Sequence, residues 1–412
     1  MRTTTMSQAF QLEWTLETPV VLDRRVTPEC TASVIIPARN EEESIARTLE
    51  ALAQQVDQQG QPLARDSYEV LLLVNNCTDG TAEVARVYAQ QHPFLRLYVI
   101  ESTLSPEIAH VGAARKMLMD LACARLMENR KINPGTLAIL STDADSIVAR
   151  DWITQNLVAI ELDAEVVGGL INLMPEDLAK LEPGTRLAYE RDAELNSLIA
   201  ELESVLDPDP ADPWPRHQNH FGASLACTPE AYRRCGGMPP VSPLEDVAFI
   251  DEMRKVSARI RHSPLVNIFT SARLDGRAEV GLSGQLRQWQ REAREGLPQI
   301  VDSCAWLKHR FSRLAALRAL NERGTMKETS WIPDDWVDRV NDIRRERLPT
   351  ARFLELIDCD GLIERCFEGE ERLGEILIVI ADLKLLIDQL KRLPSRDSAA
   401  NASRLAREEV SA

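Results

Sequence analysis

Ser33-Val-Ile-Ile-Pro-Ala-Arg-Asn-Glu-Glu-Glu-Ser-Ile45 reads as strand, loop and helix in one short stretch. Residues 33–38 are an apolar run rich in β-branched side chains, as a buried strand requires. Asn40, with Glu43 three residues on, has the spacing of a capping box, and Ile45, Leu49 and Leu52 then recur at helical spacing. The unit repeats. Val70 to Val74 is a second buried strand, Asn75 to Gly80 is turn chemistry, and Val84, Val87 and Tyr88 mark a helix. Leu97 to Ile100 is a third strand before a long helix from about 106 to 128. Leu137 to Leu140 is a fourth, and Val166 to Leu173 a fifth, interrupted by Gly168 and Gly169. Alternating strands and helices predict a mainly parallel sheet with helices on both faces. Ligands bind such sheets beyond the carboxyl ends of the strands. Polar residues cluster there three times: Arg39 and Asn40; Asn75, Asn76 and Asp79; Ser141, Asp143 and Asp145.

The pattern changes after residue 174. A charged helix is expected from about 176 to 205, then a proline-rich loop, Asp207 to Pro215. A short strand near Ala223 to Cys227, a helix from Pro229 stopped at Gly236-Gly237, a helix from about 243 to 258 and a strand at Leu265 to Thr270 follow. Residues 282–393 read as nearly all helical, with breaks near Gly324 and Pro333. Ile376 to Leu390 is amphipathic, a core or partner-facing helix rather than a membrane span. The polar end, 395–412, reads as a disordered tail. The expected organisation is an N-terminal extension (1–30), one α/β domain (31–290), a helical C-terminal region (291–394) and that tail.

Composition narrows the function. The 412 residues carry 48 Lys and Arg against 64 Asp and Glu, a formal net charge of −16. That balance argues against nucleic acid as a partner, because phosphates would be repelled. An anionic ligand would need local positive charge or a bound cation. Eight cysteines with no C-x-x-C pair suit reduced thiols in a cytosolic protein. Met1 to Phe10 lacks the apolar run of a signal peptide, and no stretch approaches the ~20 apolar residues of a membrane-spanning helix.

Asp143 and Asp145 are two apart, directly after the fourth strand, so both carboxylates can face one cleft. Paired hard oxygen ligands suit Mg²⁺ or Mn²⁺. An isolated D-x-D is more often a solvated acidic turn; its place at a strand end gives it weight. Glu245-Asp246 is a second acidic pair. Ser242-Pro-Leu-Glu245 spells a capping box, which gives Glu245 a capping role.

Taken together and in order, several stretches resemble a family 2 glycosyltransferase of the GT-A fold, over roughly residues 31–290. They are Val34-Ile-Ile-Pro-Ala-Arg-Asn-Glu41, Val74-Asn-Asn-Cys-Thr-Asp-Gly-Thr81, Thr142-Asp-Ala-Asp145, Phe221-Gly-Ala-Ser-Leu-Ala226, Gly236-Gly-Met238 and Leu244-Glu-Asp246. The resemblance implies a Rossmann-like, mainly parallel mixed sheet flanked by helices, with a mostly helical C-terminal extension. It also implies sugar transfer from a nucleotide-sugar donor. Asp145 would bind the Mn²⁺ or Mg²⁺ that bridges the donor diphosphate, and Asp143 would contact the ribose or the sugar. Pro37, Arg39, Asn40 and Glu41 would line the nucleotide pocket with Asn76 and Asp79. Asn76 stands where many members carry the aspartate that accepts from uracil, and an amide oxygen can still accept. Asp246 matches the aspartate that takes the acceptor's proton. His110-Val-Gly-Ala-Ala-Arg-Lys116 resembles the Gly-containing donor loop, which assigns Arg115 to the donor. Glu245, Arg273 and Arg277 are weaker assignments to acceptor or diphosphate. Gln285, Arg287 and Trp289 do not match the spacing of the processive members' motif.

The reading is a metal-dependent, inverting glycosyltransferase using a UDP-linked donor, cytoplasmic, with a peripheral place at the inner membrane face left open. A homo-oligomer through the C-terminal helices is an open arrangement. A retaining GT-A enzyme of the glucosyl-3-phosphoglycerate synthase type and a non-catalytic nucleotide-binding scaffold are the alternatives. A nucleotidyltransferase would need a Gly-rich activating loop near the first strand, which is absent. His217 and His220, i and i+3 in the proline-rich loop, and His262 are weaker metal-ligand candidates.

Overall fold

The computed structural model describes residues 26–128, 132–274, 281–324, 331–359, 361–367 and 371–392. Most of the expected N-terminal extension and all of the expected tail lie outside these residues. Among the described residues up to Thr270 the chain forms strands β1 (Ala32–Ala38), β2 (Tyr68–Asn75), β3 (Leu97–Ser102), β4 (Ala138–Thr142), β5 (Ser146–Val148), β6 (Val166–Leu173), β7 (Ser224–Cys227) and β8 (Ile260–Thr270). The chain divides into two compact units. The first holds the residues up to Leu162 together with Phe221–Phe249 and Val266–Phe269. The second holds Asp163–His220, Ile250–Leu265 and the chain from Thr270 on.

In the first unit the strands run β3-β2-β1-β4-β7. β1 pairs in parallel with both β2 and β4, and β2 with β3. β7 pairs antiparallel with β4, Thr142 opposite Ser224 and Ile139 opposite Cys227. The sheet is mainly parallel, as the alternation predicts, and its antiparallel β7 makes it mixed, as the resemblance implies. A parallel strand with both faces covered reads as a continuous apolar run, and all eight residues of β2 are buried. Helix Ile45–Ala53 buries Ile45, Leu49 and Leu52, the three residues that mark it in sequence. Helix Thr81–Gln91 buries Ala85 and Tyr88 but leaves Val87 39% exposed, so Val87 is not part of its packing face.

Helix Val111–Met127 starts later than the expected 106, because His110 caps it by accepting from the Ala113 N–H at 3.2 Å. In its first turn Gly112, Ala113 and Ala114 are buried while Val111 is exposed. A Cβ at Gly112 would lie 2.0 Å from the Val241 carbonyl oxygen, so only glycine admits that loop. β5 and helix Trp152–Glu161 had no counterpart in the sequence reading.

The second unit is mostly helical. Its long helix is Pro183–Leu206, preceded by a separate turn, Pro175–Leu178, where one helix was expected. Pro183 at the first helical position explains the break. Leu195, Leu202 and Leu206 pack with Leu307, Phe311 and the stripe Ile376, Val379, Ile380, Leu383 and Ile387 of helix Ile376–Arg392. A second cluster joins Trp306, Leu317 and Leu320 to Val340, Ile343, Phe353 and Ile357. The stretch expected to be nearly all helical also contains a two-stranded ribbon, β9 (Ile300–Asp302) with β10 (Leu373–Glu375). Among the described residues no helix is long and apolar enough to cross a membrane.

Candidate active site

The carboxyl ends of β1, β2 and β4 lie side by side, since Ala38 is opposite Val74 and Ile35 opposite Ser141. Three loops therefore leave the sheet together. The first two are braced to each other. The Asn40 side-chain oxygen accepts from the Thr78 N–H at 2.8 Å, and the Asn40 N–H donates to the Cys77 sulfur. Thr81 Oγ1 accepts from the Glu41 N–H at 2.8 Å, Asp79 Oδ2 from the Glu42 N–H at 3.1 Å, and Glu42 Oε2 from the Gly80 N–H at 2.9 Å. Asn40 therefore does not cap helix Ile45–Ala53. It takes φ 56°, in the left-handed region asparagine tolerates, and spends its side chain across the loops. Ser44 is the N-cap residue of that helix.

Asp79 is pulled opposite ways. Its limited burial raises the carboxyl pKa, but bonds from Thr81 and the Glu42 N–H outweigh that and hold it below the ordinary range. Asn76, also left-handed at φ 50°, donates through Nδ2 to the Leu104 carbonyl at 2.9 Å and accepts from the Leu104 N–H at 3.0 Å. Both halves of the amide expected to read a base are engaged by one backbone residue. Arg39 is exposed and donates to the Ala109 carbonyl at 3.1 Å, and Pro37 is half-buried at the end of β1. Glu41 is buried and accepts from the Ser44 hydroxyl at 2.8 Å.

The third loop, Asp143-Ala-Asp145, is anchored differently. The Ala144 carbonyl accepts from Thr48 Oγ1 at 2.9 Å, and the Asp143 carbonyl accepts from the Ser146 N–H. Asp143 Oδ1 receives the Arg115 guanidinium at 3.0 Å. Arg115 is only 3% exposed, yet every arm of its fork is used. Nε donates to Glu245 Oε1 at 3.1 Å, while Nη1 donates to Ser141 Oγ at 2.6 Å and to the Gly222 carbonyl at 3.0 Å. Burial works against its charge, but Asp143, Glu245 and Asp246 outweigh burial and hold its pKa above the ordinary value. Glu245 is buried and faces this cation, and helix Glu245–Lys255 begins at Glu245 itself. The capping box spelled by Ser242 to Glu245 therefore does not form. Leu244 stands before the helix at φ 66°, and the Glu245 carboxylate turns inward to Arg115. Asp246 is half-exposed. Its Oδ2 accepts from the Gly222 N–H at 2.7 Å and its Oδ1 from the Val247 N–H at 2.8 Å.

The first unit thus joins Asp143, Arg115, Glu245 and Asp246 through direct bonds, with Asp145 two residues along the same loop. Ser141 and Gly222 complete this network. Both stood in stretches singled out by sequence, but neither residue signals a bonding role. Arg273 belongs to the second unit, where its N–H donates to Ser271 Oγ at 3.3 Å. Arg277 lies outside the described residues. As to a cation, no three His, Cys, Asp or Glu side chains among the described residues are grouped to hold one. Mg²⁺ and Mn²⁺ are commonly held by one or two carboxylates plus substrate phosphates and water. Two strand-end carboxylates fit a cation shared with a diphosphate, not one caged by protein.

The three histidines form a separate cluster in the second unit. His262 Nδ1 lies 2.7 Å from Asp212 Oδ2, and His262 Nε2 lies 3.3 Å from His220 Nδ1. His217 bonds the Ser263 carbonyl and the Asn219 N–H. Asp212, missed in the sequence reading, is 3% exposed and also takes Arg216 and Arg261. Burial and then the neighbouring His262 charge lower His217 to about 4 and His220 to about 3, from an ordinary 6.5. The unfolded chain therefore takes up protons below about pH 6.5 that the folded chain refuses. Stability from these two groups is fully present above that pH and is lost as pH falls toward 4 and then 3. At about 1.4 kcal/mol per unit, a loss of a few kcal/mol is expected by pH 4.5. His217→Gln should flatten the dependence of the urea midpoint on pH between 7 and 4.5; an unchanged slope would refute the assignment.

Residues 33–196 match the model described as glycosyl transferase family 2. This segment belongs to that family, and the chain is accordingly a glycosyltransferase. No curated protein matches the chain. Among solved structures, the mannosyltransferase PcManGT from Pyrobaculum calidifontis, in complex with GDP-Man and Mn²⁺, is 17% identical with a TM-score of 0.41. That match covers 93% of this chain and 89% of that one. S. aureus TarS 1–349 in complex with UDP-GlcNAc is 16% identical with a TM-score of 0.40, covering 88% and 92%. Glucosyl-3-phosphoglycerate synthase from Mycobacterium tuberculosis, in complex with Mn²⁺, UDP-Glc and phosphoglyceric acid, is 17% identical with a TM-score of 0.34, covering 66% and 81%.

Proposed function

We propose that the chain is a metal-dependent, inverting glycosyltransferase moving a sugar from a nucleotide-sugar to an acceptor hydroxyl. The observation that carries this reading is the meeting of two acidic pairs on one buried arginine. Asp143 reaches Arg115 from the end of β4, and Glu245 reaches it from the start of the helix that also carries Asp246. The proposed step is a single displacement. Asp246 takes the proton of the acceptor hydroxyl, whose oxygen bonds to the anomeric carbon as the bond to the diphosphate oxygen breaks. Asp145 would hold the divalent cation, which would neutralise charge on the leaving diphosphate, and Asp143 would contact the ribose or the sugar. Asp246 suits its part because two backbone N–H groups fix its carboxylate in the first turn of a helix. The braced loops at 39–44 and 75–81 would receive the nucleotide.

The base is proposed as uracil on the resemblance at Asn75-Asn76. Because Leu104 engages the Asn76 amide, selection among bases is expected to be modest. Calorimetry with UDP, GDP, CDP and ADP in Mn²⁺ tests this, and a clear preference for GDP rejects uracil. The function itself is tested by turnover of a nucleotide-sugar panel, with the anomeric configuration of the product read by NMR. Hydrolysis or transfer with no donor would sink the reading, and a retained configuration would replace inversion with retention.

A further inference from the structure

We propose that Arg115 is a positioning residue that couples the donor side of the site to the proton acceptor through Gly222. The inference rests on the reading of Asp143 and Asp246 given above, and it assigns Arg115 no contact with the donor phosphates. The fork spans the site: one arm holds Asp143, another holds Glu245, and the third reaches the Gly222 carbonyl. Ser141 Oγ donates to the same carbonyl at 2.8 Å. The other backbone group of Gly222, its N–H, donates to Asp246 Oδ2 at 2.7 Å.

Glycine is the least constrained residue, so bonds and not sterics decide where its N–H points. Arg115 and Ser141 fix the peptide after Gly222 through its carbonyl, and Asp246 takes the N–H of the peptide before it, so the flexible residue is pinned from both sides and a slack carbonyl would slacken the bond to Asp246. Nothing larger fits: a Cβ at Gly222 would lie 2.3 Å from the guanidinium carbon. A guanidinium suits the task because its donors form a rigid planar fork, whereas a lysine is a point charge that cannot hold three acceptors in fixed directions. Without the fork Asp246 keeps its chemistry but loses its aim, and misplacement by about 1 Å costs on the order of 10²-fold in rate.

The test is Arg115→Lys in the full chain, with three readouts: kcat and KM for the donor that turns over, binding of the matching nucleoside diphosphate, and amide hydrogen exchange by NMR. The expected result is a fall in kcat of about 10²-fold with diphosphate affinity changed less than about threefold. Faster exchange should be confined to the Gly222 and Val247 amides. Weaker diphosphate binding with kcat intact would make Arg115 a donor ligand and overturn the proposal. Full activity, or exchange raised evenly through the first unit, would make its role merely structural and also overturn it. Should Arg115→Lys not fold, Ser141→Ala removes the second donor to the same carbonyl without burying a lone charge. It is expected to speed exchange at Gly222 and lower kcat by about tenfold, and unchanged exchange there refutes the coupling. Exchange needs no turnover, so a wild-type chain inactive on every donor would sink the proposed function while the amides still decide the role of Arg115.

Discussion

Asp145→Asn is expected to lower transfer by about 10³-fold and to weaken Mn²⁺-dependent binding of a nucleoside diphosphate, with little change in thermal stability. The backbone on either side is held without this side chain. Before it, Ala144 is fixed through its carbonyl to Thr48; after it, the Ser146 N–H donates to the Asp143 carbonyl. Replacing the charge should therefore leave the loop in place. What is lost is a hard anionic oxygen, and charge stabilisation at such a site is worth several kcal/mol, or about 10³ in rate. Asp143→Asn should differ, because it removes a partner from a buried guanidinium and costs stability as well. Transfer that proceeds undiminished in EDTA would end the metal assignment of Asp145.

Asp246→Asn is expected to lower kcat by about 10² or more while diphosphate affinity stays nearly constant. The structure adds a cost. Each carboxylate oxygen accepts one backbone N–H, Gly222 on Oδ2 and Val247 on Oδ1. An amide offers only one oxygen, so one N–H would face an NH₂ group, and about 1–3 kcal/mol of stability should go with the activity. Measuring kcat well below the melting temperature separates the two effects. Near-full turnover in Asp246→Asn would remove the proposed base and favour a retaining mechanism.

Much of the first unit was legible because its strands are covered on both faces, so β1, β2 and β4 read as unbroken apolar runs with polar residues at their ends. The elements that escaped have physical reasons. β5, β9 and β10 are three residues each, too short for alternation to register. Helix Trp152–Glu161 buries residues around much of its circumference, including Asn156, so no polar face marks it. The site's residue types were visible, but their bonding was not. Arg115 reads as a solvated or phosphate-facing charge at a helix start, and its partners lie 26 to 130 positions away in sequence. Asn40 and Glu245 fit local capping patterns, and in both cases a long-range partner, Thr78 or Arg115, takes the side chain instead. Asp212 sits in a proline-rich loop whose composition gives no hint of the two arginines and the histidine gathered on it.

The antiparallel register of β4 and β7 bears on how this protein can change over time. Thr142 lies opposite Ser224, only two residues beyond Gly222, and side chains alternate faces along a strand. One residue gained or lost between Phe221 and Ala223 would either swap the two faces of β7, whose four residues are all buried, or carry Gly222 away from Arg115 and Asp246. Lineages descended from this sequence are free to drift in residue type along much of the chain, but here they are bound to a length.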